Sequence, residues 1–419
     1  MLSRLNEIRT GFGRPFWVAN VSEIFERLSY YAVFSTLALY LNQTLGFSTS
    51  LAAGLSSIFG GAVWVMAIFG GALADRIGFR RALSAAYFIL TCAYFLVGSI
   101  GAPWLAPIRS VMPLGLLAGI ILFLPALGVA LVKPSVVGTT ARASTENVRS
   151  IGYAIYYTMV NVGSFFGPFL AGWIHERMRP EAAFLLAAAS VFAMFVVVLL
   201  FFKEPRVDLD AKAASLKQVG RNFFTVIRNW RFMLFVVIFS GYWIVYWQQY
   251  LILPIYIHDY IDPNANTAMI LITDPLIVIS LTVAFTALTR KIASLPAIII
   301  GTLLTSVSWL LIVAKASVLM AILALVVLAL GEITLSPRYY EYVSRLAPPG
   351  QQGTYMGFAF LPIGIGSLVG GFSGVLLHRF GEVMHQPALL WWVISIVGLL
   401  TALLLWIYDR VIQPVPMET

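Results

Sequence analysis

Of the 419 residues, 60% are hydrophobic and 11% charged, and the mean hydropathy is +0.89. A soluble domain cannot hide that much apolar surface, so lipid must cover it and the chain is a polytopic membrane protein. The net charge of +9 reflects a bias of lysine and arginine toward one membrane face and contact with anionic headgroups, which leaves nucleic-acid binding without support.

A membrane span takes about 20 apolar residues. Twelve stretches qualify: 16–41, 50–74, 81–101, 112–140, 150–174 and 181–202, then 231–258, 268–289, 295–315, 317–344, 353–377 and 387–412. This predicts an all-α membrane protein of two six-helix bundles, 1–202 and 231–419, joined by a cytoplasmic segment, 203–230. Residues 1–13 are polar and basic and lead into a full-length span, so the first helix is expected to be its own insertion signal, with no cleaved leader. In the joining segment Ala213, Leu216, Val219, Phe223 and Val226 recur at helical spacing beside Lys212, Lys217 and Arg221. That pattern predicts a surface helix over 211–227 on the lipid interface, a connector first and a regulatory element second. Twenty lysines and arginines fall on the side of the N-terminus and five on the other. Both termini are therefore expected in the cytoplasm, in a cell inner (plasma) membrane.

Gly163 and Gly167 in the fifth span, and Gly366, Gly370 and Gly374 in the eleventh, recur every four residues and predict close helix contacts. Pro134, Pro168, Pro254, Pro275, Pro337 and Pro362 fall within spans, where each permits a bend. The single cysteine, Cys92, lies in an apolar run and is assigned to packing. His175, His258, His378 and His385 sit at span ends or in outer loops without ligand spacing, so no metal is expected. There is no phosphate-binding glycine loop, which leaves an ion gradient, here protons, in place of ATP or any cofactor.

The first span carries Glu23, Glu26 and Arg27. Each such group costs about 2.5–3.5 kcal/mol at a helix centre on insertion scales, so the three must face the protein interior and largely neutralise one another. Glu23 and Arg27 are four apart on one helical face and either carboxylate can pair with the arginine, leaving one able to take up a proton. A simple membrane anchor has no use for this, and the trio points to a proton-coupled transporter.

Residues 70–81, Gly70-Gly71-Ala72-Leu73-Ala74-Asp75-Arg76-Ile77-Gly78-Phe79-Arg80-Arg81, combine small residues with an acid and a basic cluster at the membrane face. The string resembles the signature loop of the major facilitator superfamily. That resemblance implies a gating role for Asp75, with Arg76 and Arg80 beside it. Glu23-Ile24-Phe25-Glu26-Arg27-Leu28-Ser29-Tyr30-Tyr31 resembles the ExxERFxYY signature of the proton-dependent oligopeptide transporters within that superfamily, and residues 156–164, Tyr-Tyr-Thr-Met-Val-Asn-Val-Gly-Ser, resemble their FYxxINxGS. Lys133-Pro134, the Gly331-Glu332 and Ser336-Pro337 pairs with Leu346-Ala347-Pro348, and Asp274-Pro275-Leu276, where the family has asparagine first, are similar to further patterns in spans four, ten and eight.

The resemblance implies a fold of two six-helix bundles with a central site and alternating access. It implies a proton-coupling set of Glu23, Glu26, Arg27, Lys133 and Glu332, with Lys133 and Glu332 paired between the two halves. A lysine and a glutamate buried in separate spans are costly apart and stabilising together, although such a pair can also be a plain structural bridge. Substrate-binding candidates are Tyr30, Tyr31, Phe34, Tyr157, Asn161, Trp243, Trp247, Gln248, Gln249 and Asp274. The tryptophans, with Trp64, are equally placed for a lipid-facing aromatic belt. Asp274 either titrates or contacts substrate, or lies near the outer surface. Arg338 and Glu341, three apart, form a gate or an ordinary helix end.

Two departures bear on cargo. The arginine with which these transporters clamp a peptide carboxylate is replaced by Phe34, and the acid before their seventh-span glutamines by Trp247. Losing both together preserves charge balance, since either alone would be an unpaired buried charge. The expected function is symport of peptides or peptide-like organic solutes, possible partners being a di- or tripeptide, protons and the bilayer, by a monomer that is not an enzyme. The alternatives are a proton-antiporting exporter, an importer of a non-peptide solute, or a membrane receptor that no longer transports.

Overall fold

The computed structural model describes residues 10–145, 148–205, 221, 224–289, 292–346, 355 and 357–412. Twelve principal helices run through them: α1 (Arg14–Leu39), α2 (Thr49–Ile77), α3 (Phe79–Ser99), α4 (Leu114–Arg142), α5 (Arg149–His175), α6 (Glu181–Phe201), α7 (Trp230–Tyr246), α8 (Thr273–Thr289), α9 (Ser294–Ser308), α10 (Val318–Leu346), α11 (Leu361–Gly370) and α12 (Leu389–Val411). Each coincides with one predicted span, and the molecule is an all-α membrane protein. Nine stretches among the described residues are long and apolar enough to cross a bilayer, and the other three predicted spans fall on α1, α5 and α8. The polarity of α1 has a clear source in its three buried ionisable residues.

Several spans are broken into shorter pieces. The seventh continues beyond α7 as Gln248–Leu251 and Leu253–Tyr260, and the eleventh continues beyond α11 as Ser373–Leu377. This alters the expected role of three prolines. Pro254 and Pro362 open new helical pieces and Pro275 lies in the first turn of α8, where no intrahelical hydrogen bond exists to be lost. Pro134, Pro168 and Pro337 do lie inside continuous helices. Cys92, expected in packing, is exposed on α3. Most of the predicted surface helix at 211–227 lies outside the described residues.

The chain divides into two compact units, residues 1–34 with 66–219 and residues 35–65 with 220–419. In the first, α3 packs against α4 and α6. A Cβ on Gly128 would sit 2.6 Å from Leu90 Cγ, so α4 meets α3 closely there. The first half of α1 meets α5 at Gly163, where a Cβ would stand 2.6 Å from Arg27 Cβ and 2.7 Å from the Ile24 carbonyl oxygen. Gly167 repeats the contact one turn on, against Leu28 and Ala32. The predicted glycine face of the fifth span thus brings the backbone of α5 onto the turn of α1 that carries the charges.

In the second unit α9 packs on α10 and α12, α7 on α11 and α12, and α8 on α10. Gly301 and Gly331 oppose each other where α9 crosses α10, a Cβ on either falling within 2.7 Å of the other's carbonyl oxygen. Residues 35–65 belong here because the glycines of the eleventh span admit them: a Cβ on Gly374 would lie 2.6 Å from Ala53 Cβ, and Gly371 lies against Ser57. Ser50 and Ser367 strengthen the seam with hydrogen bonds to the carbonyls of Gly374 and Ser57, at 3.2 and 3.3 Å.

Gly163→Leu is expected to lower the melting temperature of the detergent-purified protein by the equivalent of about 1–3 kcal/mol, the usual cost of overpacking, or to abolish folding. Gly54→Ala, with nothing within 4 Å of the new Cβ, is expected to leave it unchanged or raised. Equal melting of wild type and Gly163→Leu would mean that α1 and α5 do not pack this closely.

Candidate functional site

Among the described residues, each unit gathers ionisable side chains in its interior, some fully and some partly buried. In the first unit α1 supplies Glu23, Glu26 and Arg27, none more than 1% exposed. Adjacent helical residues point about 100° apart and do not normally meet, yet the Arg27 guanidinium folds back onto Glu26. Its Nη2 donates to Oε1 at 2.7 Å and its Nε to Oε2, a two-pronged pairing. Glu23 Oε1 lies 3.7 Å from the same Nε. The guanidinium also sits over the Tyr30 ring, 4.9 Å from its centroid, adding a cation–π contact in a dry setting. One arginine therefore holds two carboxylates and an aromatic face.

Lys133, from α4, acts electrostatically on Glu23, Glu26 and Arg27. Two acids and two bases thus share one neighbourhood, with Lys133 partly buried. Tyr156, from α5, stands close to Glu23, whereas its neighbour Tyr157 is half exposed and Asn161 donates to the Tyr157 carbonyl at 2.8 Å. Tyr156 is a site residue that sequence alone did not single out. Tyr31 and Phe34 pack on the ring of Tyr30 at centroid distances of 5.2 and 5.7 Å, Phe34 fully buried.

In the second unit Asp274 is 3% exposed. Its Oδ2 accepts from the Tyr246 hydroxyl at 3.2 Å and from Gln249 Nε2 at 3.3 Å. The carboxyl of Glu332, from α10, lies within hydrogen-bonding reach of Asp274 and of Tyr246. Tyr246 ties the two acids together, and no motif pointed to it.

Trp247 and Gln248 have structural engagements. Trp247 is 2% exposed and its Nε1 donates to the Ile363 carbonyl at 3.0 Å, so it does not belong to a lipid-facing belt. Gln248 Nε2 donates to the carbonyls of Ile244 and Gly370, at 2.7 and 3.3 Å. Both tie the seventh span to the eleventh, across the small face made by Gly366 and Gly370. Trp243 lies between the rings of Tyr242 and Tyr246, each centroid 5.1 Å away. Trp64 is buried and stacks on Phe360.

Of the gating candidates, the side chain of Asp75 lies outside the described structure, and Arg76 is exposed. Arg80 Nη2 donates to the Leu199 carbonyl at 2.8 Å. Beside it, Glu204 accepts from the backbone N–H groups of Phe79 and Arg80, both at 2.8 Å, and so caps α3 with a charge suited to a helix N-terminus. The bend that presents those groups is made by Gly78, at φ +86°, a value only glycine adopts readily. Arg338 pairs with Glu341 at 3.0 Å and donates to the Thr289 carbonyl at 3.3 Å, closing the C-terminal end of α8. Arg345 also pairs with Glu341. These three residues form a helix-end network.

Residues 20–371 match the family model of the Major Facilitator Superfamily. Among curated relatives, the chain is similar to the multidrug resistance protein MdtH of Enterobacter sp. (strain 638), 23% identical over 412 residues that span 97% of this chain and 96% of the relative. MdtH of Sodalis glossinidius (strain morsitans) is 24% identical over 395 residues, 93% and 92% of the two chains. Among solved structures, a POT family transporter in complex with 5-aminolevulinic acid superposes with a TM-score of 0.79 at 20% identity, covering 96% of this chain and 97% of that one. The POT family transporter PepTSo gives 0.76 at 18% identity, with 95% and 98% covered. At such identities these structures establish the fold.

Trp247→Phe keeps most of the ring packing and removes one buried hydrogen bond. It is expected to destabilise the protein by about 1 kcal/mol in a detergent melt while leaving the affinity for any ligand that stabilises the wild type unchanged. A changed affinity at unchanged stability would instead make Trp247 a ligand contact.

Proposed function

Since this chain belongs to the Major Facilitator Superfamily and is a transporter rather than an enzyme, we propose that it is a proton-coupled secondary carrier of small organic solutes working by alternating access in a cell inner membrane, with both termini cytoplasmic. The observation that carries this is the burial of Glu23, Glu26 and Arg27 in α1. A bidentate pair of Glu26 with Arg27 satisfies both partners, so a passive anchor or scaffold would need nothing more. Glu23 adds a second carboxylate 3.7 Å from the same Nε, with Lys133 and Tyr156 around it. Protonation of either acid releases part of the hold on Arg27, and breaking a buried ion pair is worth about 3–5 kcal/mol, enough to tip a two-state carrier.

For the solute, a peptide held by a carboxylate clamp is the less favoured form. The two positions where the clamp and its balancing acid would stand carry Phe34, buried on Tyr30, and Trp247, bonded to Ile363. Peptide-like solutes remain the first class to try, since POT family structures hold 5-aminolevulinic acid and a thioalcohol-conjugated peptide. A second direction, proton-driven export, is favoured by the multidrug resistance proteins that match along nearly the whole chain.

The test pairs thermal stabilisation across peptides, amino acids, peptide-like compounds and organic drugs with transport in proteoliposomes under an imposed proton gradient. Glu26→Gln is expected to keep counterflow exchange of the stabilising solute while losing gradient-driven accumulation at least tenfold. Undiminished proton-driven accumulation in Glu26→Gln would overturn the role of the α1 cluster, and the absence of exchange of every stabilising ligand would favour a receptor.

A further inference from the structure

The second unit holds two acids with buried carboxyl oxygens, whose partners differ in kind from those in the first. Among the described residues, Asp274 receives hydrogen bonds on Oδ2, from Tyr246 and Gln249, and its Oδ1 is buried without a donor. Glu332 Oε2 is likewise buried without a donor. The two carboxyl groups are nonetheless within hydrogen-bonding reach of each other. Two carboxylates cannot hydrogen-bond each other, because neither has a donor. One proton resolves the contact: the protonated acid donates to the other, and the resulting single negative charge is held by Tyr246 and Gln249.

The surroundings favour a proton over another counter-ion. Among the described residues, the groups around the pair within this unit are Tyr246 and Gln249 of the seventh span and Tyr242 of α7, which itself neighbours Thr305 of α9 and Tyr340 of α10. The charged residues farther along α10, Arg338, Glu341 and Arg345, are engaged with one another and with the Thr289 carbonyl. Two adjacent carboxylates ionised in such a place would carry a repulsion and a desolvation cost that a shared proton largely removes.

We propose that Asp274 and Glu332 form a shared-proton carboxyl pair, a proton-binding site distinct from the α1 cluster. The shared proton belongs to the pair rather than to either acid, so its release is a single one-proton step that is a property of both residues together. Its use in coupling rests on the function proposed above. Its capacity to hold a proton does not.

Infrared difference spectroscopy of the purified, substrate-free protein tests this directly, because a protonated carboxyl gives a carbonyl stretch that a carboxylate lacks. In Asp274→Asn or Glu332→Gln an amide N–H takes the place of the proton, so the fold is retained while the acid band is lost. Each single variant is expected to lose the same one band at neutral pH, the double variant to lose no more, and Glu26→Gln to leave that band in place. Proton release in an alkaline pH jump, read with an indicator dye, should fall by one proton per chain in each single variant. Persistence of the band in both variants would overturn the proposal, as would losses that add in the double variant or a band removed by sodium ions rather than by alkali. Loss of the band with no proton-driven transport by the wild type would uphold the pair and count against the carrier function instead.

Discussion

The bidentate pairing of Glu26 with Arg27 is the constraint from which the first unit is built. A guanidinium and two carboxylates cannot be left facing lipid, so α1 must be wrapped on the side that carries them. The wrapping is done by backbone: Gly163 and Gly167 remove the side chains that would otherwise hold α5 away, and the turn of α1 from Ile24 to Ala32 fits against them. Close approach in turn excludes water, which strengthens the ion pair and raises the cost of leaving either partner alone. Packing and electrostatics are therefore one device here.

The two units solve the same problem by different chemistry. In the first, carboxylates are met by fixed cations, Arg27 and Lys133, with Tyr30 and Tyr156 completing the surroundings. In the second, two acids meet each other, with a tyrosine and an amide as donors. A fixed cation stays with the fold, whereas a proton can leave. On the readings proposed above, a proton taken up in the first arrangement would loosen an arginine, whereas a proton lost from the second would open the bond between α8 and α10.

Much of this was legible in the sequence, and what was not has identifiable causes. Spans follow from apolar length, and every predicted one coincides with a principal helix. The glycine faces follow from four-residue spacing on a helix, and Gly163, Gly167, Gly366, Gly370 and Gly374 all lie at close contacts. The charge trio in α1 is local, so its pairing could be foreseen from spacing. Bonds that span distant segments could not. Nothing near Trp247 reveals that its indole meets the Ile363 carbonyl, nor does the sequence around Gly78 show that Glu204 will cap the following helix. Donors and acceptors supplied by backbone carry no residue signature. The role of Tyr246 was hidden because tyrosines are abundant in the seventh span and only the fold selects the one that reaches Asp274.

Phe34 and Trp247 place aromatic rings at the two positions where the resemblance would put a charged pair. A lone buried arginine or acid would cost several kcal/mol, so the two must change together or keep a partner. Each position is instead filled by an aromatic ring with a full set of neighbours: Phe34 on Tyr30, and Trp247 between Trp243, Tyr246 and Tyr250 with its N–H satisfied. Packing of this kind is independent of pH and of the charge on a solute. On the carrier reading proposed above, selectivity would rest on shape and on the remaining polar groups, with the titratable groups of α1, α8 and α10 left to the proton. Separating those two tasks lets the cargo of a carrier change while its energy source is retained.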